Sequence, residues 1–90
     1  MKNDLEKYLK QQLLVDTRSS FLYIGILEAV TEHCAVLSQV DVHDSKETIT
    51  TKELYAIQSK TTGVKINREL VYINLDHVVS FSPLDAVKSF

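Results

Sequence analysis

The chain is short, weakly charged and poor in cysteine. It has 90 residues, 44% of them hydrophobic, and 10 Lys and Arg against 12 Asp and Glu give a net charge of -2. This length fits one domain, 1–90, rather than two. The charge balance excludes a broadly basic surface for general nucleic-acid binding. Cys34 is the single cysteine, so an intrachain disulfide is excluded.

The N-terminal residues do not have the pattern of a secretion signal. Met1-Lys2-Asn3-Asp4 leads into alternating charged and apolar residues rather than into an apolar run. The longest apolar stretches are far shorter than a membrane-spanning helix. A lone cysteine with apolar neighbours fits a reducing compartment, so we expect a cytoplasmic protein without membrane contact.

Residues 4–14 are predicted to form an amphipathic helix. Apolar side chains recur there at spacings of three and four, at Leu5, Tyr8, Leu9 and Leu13. Asn3 is a candidate N-cap, and Glu6 follows it at the capping-box spacing. Because a helix of about ten residues is marginal alone in water, we expect its apolar stripe to cover an open end of the domain.

After Ser20 the apolar pattern changes to a period of two. Residues 21–30 are apolar on both faces, which predicts a strand buried on both sides. Gly25 in its middle predicts a sharp bend or a close backbone approach. Residues 34–43 alternate after the short turn 31–33, so the two strands are predicted to form a hairpin.

Three further strands are predicted downstream of the hairpin. They are 54–59, 70–75 and 78–81, with polar loops at 44–48 and 60–68. In the tail, 83–90, the apolar residues Leu84, Val87 and Phe90 fit a last helical turn or an extended end.

Five strands this short favour a curled sheet. A flat sheet would leave one apolar face and two edges exposed. The predicted fold is therefore mainly β, with an N-terminal helix and a strongly bent five-stranded antiparallel small barrel over residues 20–82.

This order of elements, with two short motifs, resembles the Sm-like (LSm) family over residues 4–82. The first family motif has an apolar residue, a glycine, a leucine, then an acid, a histidine or aromatic residue and an asparagine. Ile24-Gly25-Ile26-Leu27 matches its start, and His33 stands at the base-stacking position. Thr31 stands at the acid and Ala35 at the asparagine.

The second family motif is an apolar pair, Arg-Gly and a later apolar residue. Tyr72-Ile73-Asn74-Leu75-Asp76-His77-Val78 has this frame without the Arg-Gly. In the family, the histidine or aromatic residue stacks on a uracil, the asparagine reads its edge and the arginine supports the pocket. The resemblance implies an atypical nucleic-acid site that includes His33 and Asn74.

The family forms rings by pairing the fourth strand with the fifth strand of the next subunit. The resemblance therefore implies a homo-oligomeric ring, which would cover an unpaired apolar edge. The implied interface residues are Leu70, Val71, Tyr72, Ile73, Val78, Val79 and Phe81. Tyr23, Tyr55 and Tyr72 are expected in the core or at this interface.

The predicted loop 60–68 carries three cations and no acid until Glu69. Lys60, Lys65 and Arg68 are candidate phosphate contacts, which a ring would repeat around one face. Affinity for RNA rises with the number of phosphates neutralised. The alternative is an ordinary solvated loop.

Asp41-Val42-His43-Asp44 is the cluster most like a metal site, because Asp41 and His43 share one side of a strand. A site needs three or four ligands, so a surface histidine is expected instead, with no metal and no cofactor. Cys34 lies in an apolar strand and the chain has no glycine-rich phosphate loop, so we expect no enzymatic activity.

Three functions remain open from the sequence. The leading hypothesis is a ring-forming Sm-like protein that binds RNA or other single-stranded nucleic acid in an atypical pocket. The second is a structural or protein-interaction ring without nucleic-acid binding, motivated by Ala35 and the missing Arg-Gly. The third is a different small barrel, or an α+β module, that acts as a monomer.

Overall fold

The computed structural model describes residues 1–88. In chain order its elements are α1 (Lys2–Glu6), β1 (Gln12–Thr17), β2 (Phe21–Val30), β3 (Cys34–Asp44), α2 (Lys52–Thr62), β4 (Arg68–Asn74) and β5 (Val78–Pro83). Single turns of 3₁₀ helix, Leu75–His77 and Leu84–Ala86, follow β4 and β5. Phe90, expected in the terminal turn, lies outside the described residues. No helix within 1–88 is long and apolar enough to cross a membrane.

The five strands form one antiparallel sheet in the order β4-β3-β2-β1-β5. Each of β1, β2 and β3 pairs with the next strand along the chain, whereas β5 returns to pair with β1 rather than with β4. The strands β4 and β5 are therefore the two edges of the sheet. This arrangement confirms the predicted mainly β fold with a bent, five-stranded antiparallel sheet.

Gly25 lies where β3 approaches the backbone of β2 closely. A Cβ atom built on it would be 3.0 Å from the Ser38 carbonyl oxygen and 3.0 Å from Val40 Cγ2. The register of β2 on β3 shifts at this point, and Gln39 has a φ of 50°. Such a bulge bends the strand and increases its twist. The close backbone approach predicted at Gly25 is therefore present.

The core lies between the inner face of the sheet and the N-terminal segment. It is formed by Leu5, Leu13, Val15, Leu27, Ala35, Leu37, Val40, Ile73 and Val78. Tyr8 packs against this core and meets Phe81 edge to face, with ring centroids 6.4 Å apart. The short helix thus contributes its apolar residues to the core of the sheet.

The predicted helix over 4–14 is wrong in extent. Helix α1 ends at Glu6, and Lys10 adopts the left-handed region with a φ of 69°, which turns the chain. Residues 12–17 then form β1, where Leu13 and Val15 alternate as buried residues. The sheet therefore begins before residue 20, because the alternation of β1 outweighs the helical spacing that Leu13 shares with Leu9.

The predicted strand 54–59 is also wrong, since these residues belong to α2. The Thr51 hydroxyl caps this helix by accepting a hydrogen bond from the Leu54 N–H, with an N···O distance of 3.1 Å. Ala56 and Ser59, three residues apart, are its buried positions. The fifth strand of the sheet is β1 instead, so the number of strands is as predicted but their places differ.

Helix α2 is held against the outer face of the sheet. His43 pairs with Leu22, and Asp41 with Ile24, so these four buried side chains share that face. The Tyr55 ring stacks on the His43 ring, with centroids 3.7 Å apart. The strand β2 is therefore buried on both sides, as its two apolar faces predict.

Candidate nucleic-acid interface

The turn between β2 and β3 is held by Thr31. Its Oγ1 accepts hydrogen bonds from the backbone N–H groups of His33 at 3.3 Å and Cys34 at 2.9 Å. The Thr31 N–H donates to the Cys34 carbonyl at 2.8 Å, which closes the turn. The single hydroxyl oxygen of Thr31 is therefore enough to hold the turn. The turn presents the exposed His33 side chain to solvent.

The structure brings His33 and Asn74 together. The His33 carbonyl accepts a hydrogen bond from the Leu75 N–H at 2.8 Å, and Cys34 pairs directly with Asn74. The Asn74 Oδ1 atom accepts from the Asp76 N–H at 2.9 Å, which caps the 3₁₀ turn after β4. The two turns therefore lie side by side at one end of the hairpin-like pair of β3 and β4.

The three candidate cations do not join this site. Arg68 begins β4 and Asn74 ends it six positions later, so the two lie roughly 20 Å apart along the strand. Lys60 belongs to the last turn of α2 and donates to the Val87 carbonyl. The predicted loop 60–68 is therefore shorter, 63–67, and only Lys65 lies within it.

Both edge strands expose apolar side chains. Leu70 and Tyr72 on β4 are 53% and 63% exposed, and Val79 on β5 is 61% exposed. The other proposed interface residues face inward: Ile73 and Val78 are buried, and Val71 and Phe81 pack against the core. Any pairing of these edges would therefore use backbone groups together with a few outward side chains.

The cluster that most resembled a metal site is a buried polar network. Asp41 is 2% exposed and His43 is 7% exposed, so the expected surface histidine is buried. Asp41 accepts hydrogen bonds from the Tyr55 hydroxyl and, at 3.4 Å, from Asn67 Nδ2. Residues 1–88 contain no group of three His, Cys, Asp or Glu side chains placed to hold a metal ion.

The same network perturbs the ionisation of Tyr55. Burial is the larger cause, and the hydrogen bond to Asp41 and its negative charge add to it, raising the pKa of Tyr55 to about 12. A phenol with a raised pKa is a poor base and a poor nucleophile near neutral pH. The network therefore fixes α2 on the sheet.

Solved structures provide the comparison with known proteins. A Pyrococcus abyssii Sm protein in complex with a uridine heptamer matches with a TM-score of 0.62 and 18% identity, over 90% of this chain and 93% of that one. The fold is Sm-like.

Other matching structures are chains of a multi-protein complex. Chains of the NatC complex bound to CoA, with and without a Gag peptide, match with TM-scores of 0.59 and 0.58, respectively, and 15% identity. They cover 92–93% of this chain and 94% of theirs. No protein-family model and no curated protein matches the sequence.

At the position where the Sm-like family has its asparagine, this chain has a buried residue. Ala35 is 1% exposed and belongs to the core, so it offers no side chain to a base. The structure also contains a cavity that the sequence patterns did not predict, lined in part by Tyr23, Tyr72 and His77. The sequence feature that could have indicated this cavity is the run Tyr72-x-Asn74-x-x-His77. It contains an aromatic ring, an amide and an imidazole along one edge strand and its turn.

Proposed function

We propose that this Sm-like chain assembles into a homo-oligomeric ring and binds single-stranded RNA at the turns that carry His33 and Asn74. The observation that carries the proposal is the contact between those turns, with the Leu75 N–H bonded to the His33 carbonyl at 2.8 Å. The turn that carries the exposed His33 therefore lies beside the turn that carries the exposed Asn74. An aromatic face and an amide are suited to stacking on a base and reading its edge.

The two unpaired edges support the assembly. The strands β4 and β5 end the sheet on opposite sides, and within residues 1–88 each has one edge without a strand neighbour. Edge strands that expose apolar residues favour pairing with another chain, and head-to-tail pairing that closes gives a ring. A ring would bring one His33 from each copy to the same face, so several weak base contacts would add along one RNA.

The proposal keeps the cytoplasmic location expected from the sequence. Cys34 is a free, half-buried thiol at the start of β3. A free cysteine of this kind fits a reducing compartment.

Fluorescence anisotropy with labelled oligo-U and oligo-A RNA tests the binding at low salt. Stacking on an aromatic side chain is worth about 1–3 kcal/mol per base, so His33→Ala should weaken binding by roughly tenfold or more. Glu32→Gln in the same turn is the matched control and should bind no more weakly than the wild type. Absence of RNA binding by the assembled protein would overturn the proposal.

The second candidate is a protein-interaction ring without RNA. It is favoured by the burial of Ala35. Two of the cations also donate hydrogen bonds within the chain, Lys60 to the Val87 carbonyl and Arg68 to the Asn67 carbonyl. Lys65 remains an exposed candidate phosphate contact. RNA that copurifies with the wild type and is lost with Lys65→Glu would count against this candidate.

A further inference from the structure

A pocket with a volume of about 300 Å³ opens at the C-terminal end of α2. Its lining residues belong to the helix and to the loop 63–67 that follows it: Tyr55, Gln58, Ser59, Thr62, Gly63 and Lys65. None of these six is among the residues proposed for the contact between copies, so the pocket is compatible with the ring. Its volume is at the lower end of the roughly 300–1,000 Å³ range of small-molecule sites.

Ser59 is the buried polar side chain of this pocket. It is 4% exposed, and its hydroxyl makes no hydrogen bond within residues 1–88, whereas the Thr61 and Thr62 hydroxyls donate to carbonyls of the preceding turn. No fully enclosed side-chain oxygen in the same residues lacks a partner. The small exposed part of Ser59 therefore includes its hydroxyl, which reaches the pocket that Ser59 lines. This hydroxyl is available to a ligand as a donor.

Lys65 brings a positive charge to the same pocket. Its side chain is exposed, and none of the three ion pairs within residues 1–88 includes it. None of the described lining residues is acidic. An ammonium group together with a hydroxyl donor is suited to the oxygen atoms of a phosphate.

The carbonyl groups at the end of α2 would by themselves disfavour an anion. Two of them are already engaged, because the Ser59 carbonyl accepts from the Gly63 N–H at 3.0 Å and the Gln58 carbonyl from the Thr62 hydroxyl at 2.7 Å. Gly63 has a φ of 98°, and a Cβ atom built on it would meet no atom within 4 Å. The helix thus ends at a residue without a side chain, and Lys65 carries the full charge among the described lining residues.

Tyr55 provides an aromatic wall. Its ring stacks on the His43 ring, with centroids 3.7 Å apart, so the part of Tyr55 that reaches the pocket is the opposite face or the edge. Its hydroxyl is engaged by the Asp41 carboxylate, which in turn is paired with donors from Tyr55 and Asn67. The exposed Gln58 amide lines the pocket as well. An aromatic wall with a few polar groups is typical of sites for small organic molecules.

We infer that this pocket binds a small organic phosphate, with the phosphate between the Lys65 ammonium and the Ser59 hydroxyl and the organic part against Tyr55. The inference goes beyond the proposed RNA binding and does not depend on it. A phosphate of bound RNA is the competing source of the same chemistry. The loop 63–67 leads into the start of β4, whereas Asn74 ends that strand roughly 20 Å away. An RNA held at His33 would have to span this distance, which favours a separate ligand.

Titration of the full chain with ribose 5-phosphate at low salt, followed by the amide NMR spectrum, tests the inference. Shifts should concentrate at residues 55–65, and ribose without a phosphate should cause none there. Ser59→Ala should weaken binding by roughly tenfold, because a hydrogen bond to a charged group is lost. The Ser59 hydroxyl has no partner within residues 1–88, and the spectrum of the variant reports its folding directly. Lys65→Gln should weaken binding by roughly threefold or more and reduce its dependence on salt.

Lys46→Gln is the matched control, because Lys46 is an exposed lysine in the loop after β3 and does not line the pocket. It should leave the affinity for ribose 5-phosphate unchanged. Inorganic phosphate should bind more weakly than ribose 5-phosphate, since it has no organic part to contact Tyr55.

Four outcomes would each overturn the inference. Residues 55–65 do not shift, Ser59→Ala binds like the wild type, inorganic phosphate or ribose matches ribose 5-phosphate, or oligo-U shifts these residues and ribose 5-phosphate does not. In the last case the phosphate belongs to RNA. The ribose 5-phosphate titration reports this pocket, whereas oligo-U anisotropy with His33→Ala reports the other site, so either proposal can fail without the other.

Discussion

The hydroxyl of Tyr55 on α2 donates a hydrogen bond to Oδ2 of Asp41 on β3, a carboxylate that is 2% exposed. Its other oxygen accepts from Asn67 Nδ2 at 3.4 Å, and the Asn67 side chain also bonds the backbone N–H and carbonyl of Val42. Within residues 1–88 no buried side-chain nitrogen or oxygen lacks a partner. The segment between β3 and β4 is thus tied to the sheet at both ends of α2.

Tyr55→Phe should lower the free energy of unfolding by roughly 1–3 kcal/mol, measured by chemical denaturation. The change leaves the ring in place to stack on His43 but removes the main donor to a buried carboxylate. Tyr72→Phe is the matched control, because Tyr72 is exposed and its hydroxyl makes no hydrogen bond within the described residues. It should change the free energy of unfolding by less than about 0.5 kcal/mol. Equal losses in the two variants would contradict the role of Asp41.

Stability should fall between pH 10 and pH 12 in a way that depends on Tyr55. The pKa of Tyr55 is raised from 10.0 to about 12 in the folded chain. Its contribution is therefore fully present below pH 10 and is lost as the pH rises through the folded pKa, because the unfolded chain releases this proton first. The phenolate absorbance of the folded protein should show a step near pH 12. Tyr55→Phe should lack that step, and its presence in the variant would contradict the assignment.

The sequence predicts the local pattern of the sheet well. The hairpin of β2 and β3 follows from alternation and a short turn, and Gly25 marks a position where β3 approaches too closely for an unstrained Cβ atom. The sequence fails where long-range contacts decide the structure. Residues 54–59, predicted as a strand, belong to a helix that depends on the Thr51 cap and on Tyr55 meeting Asp41 across 14 positions.

For the candidate site, too, the sequence predicts one part and not another. His33 and Asn74 were grouped through the resemblance to the Sm-like family, and the pairing of β3 with β4 brings their turns together. The cavity at Tyr72 and His77 could not, because its walls include Thr17 and Ser19 from a turn after a strand that the helical spacing had concealed. The pairing of β1 with both β2 and β5 brings these residues together.

Gly25→Ala should destabilise the fold by roughly 1–3 kcal/mol through overpacking, measured by thermal or chemical denaturation. The new methyl group would meet the Ser38 carbonyl oxygen and Val40 Cγ2, each at 3.0 Å. Backbone cannot move aside as a flexible side chain does, so β3 must shift. Ala29→Ser, at an exposed position of the same strand, is the control and should stay within about 0.5 kcal/mol of the wild type. A wild-type stability for Gly25→Ala would contradict the close approach.

Val79→Lys should reduce the mass of the assembled protein towards the 10.2 kDa of one chain, measured by light scattering. Val79 is 61% exposed on the edge strand β5, and lysine at an edge is one of the devices that prevent strand pairing between chains. The monomer itself should keep its fold, because the side chain leaves the core untouched. Leu54→Lys is the control, since Leu54 is 48% exposed on α2 rather than on an edge. A mass that falls with Leu54→Lys and not with Val79→Lys would move the contact between copies from the sheet edges to the helix.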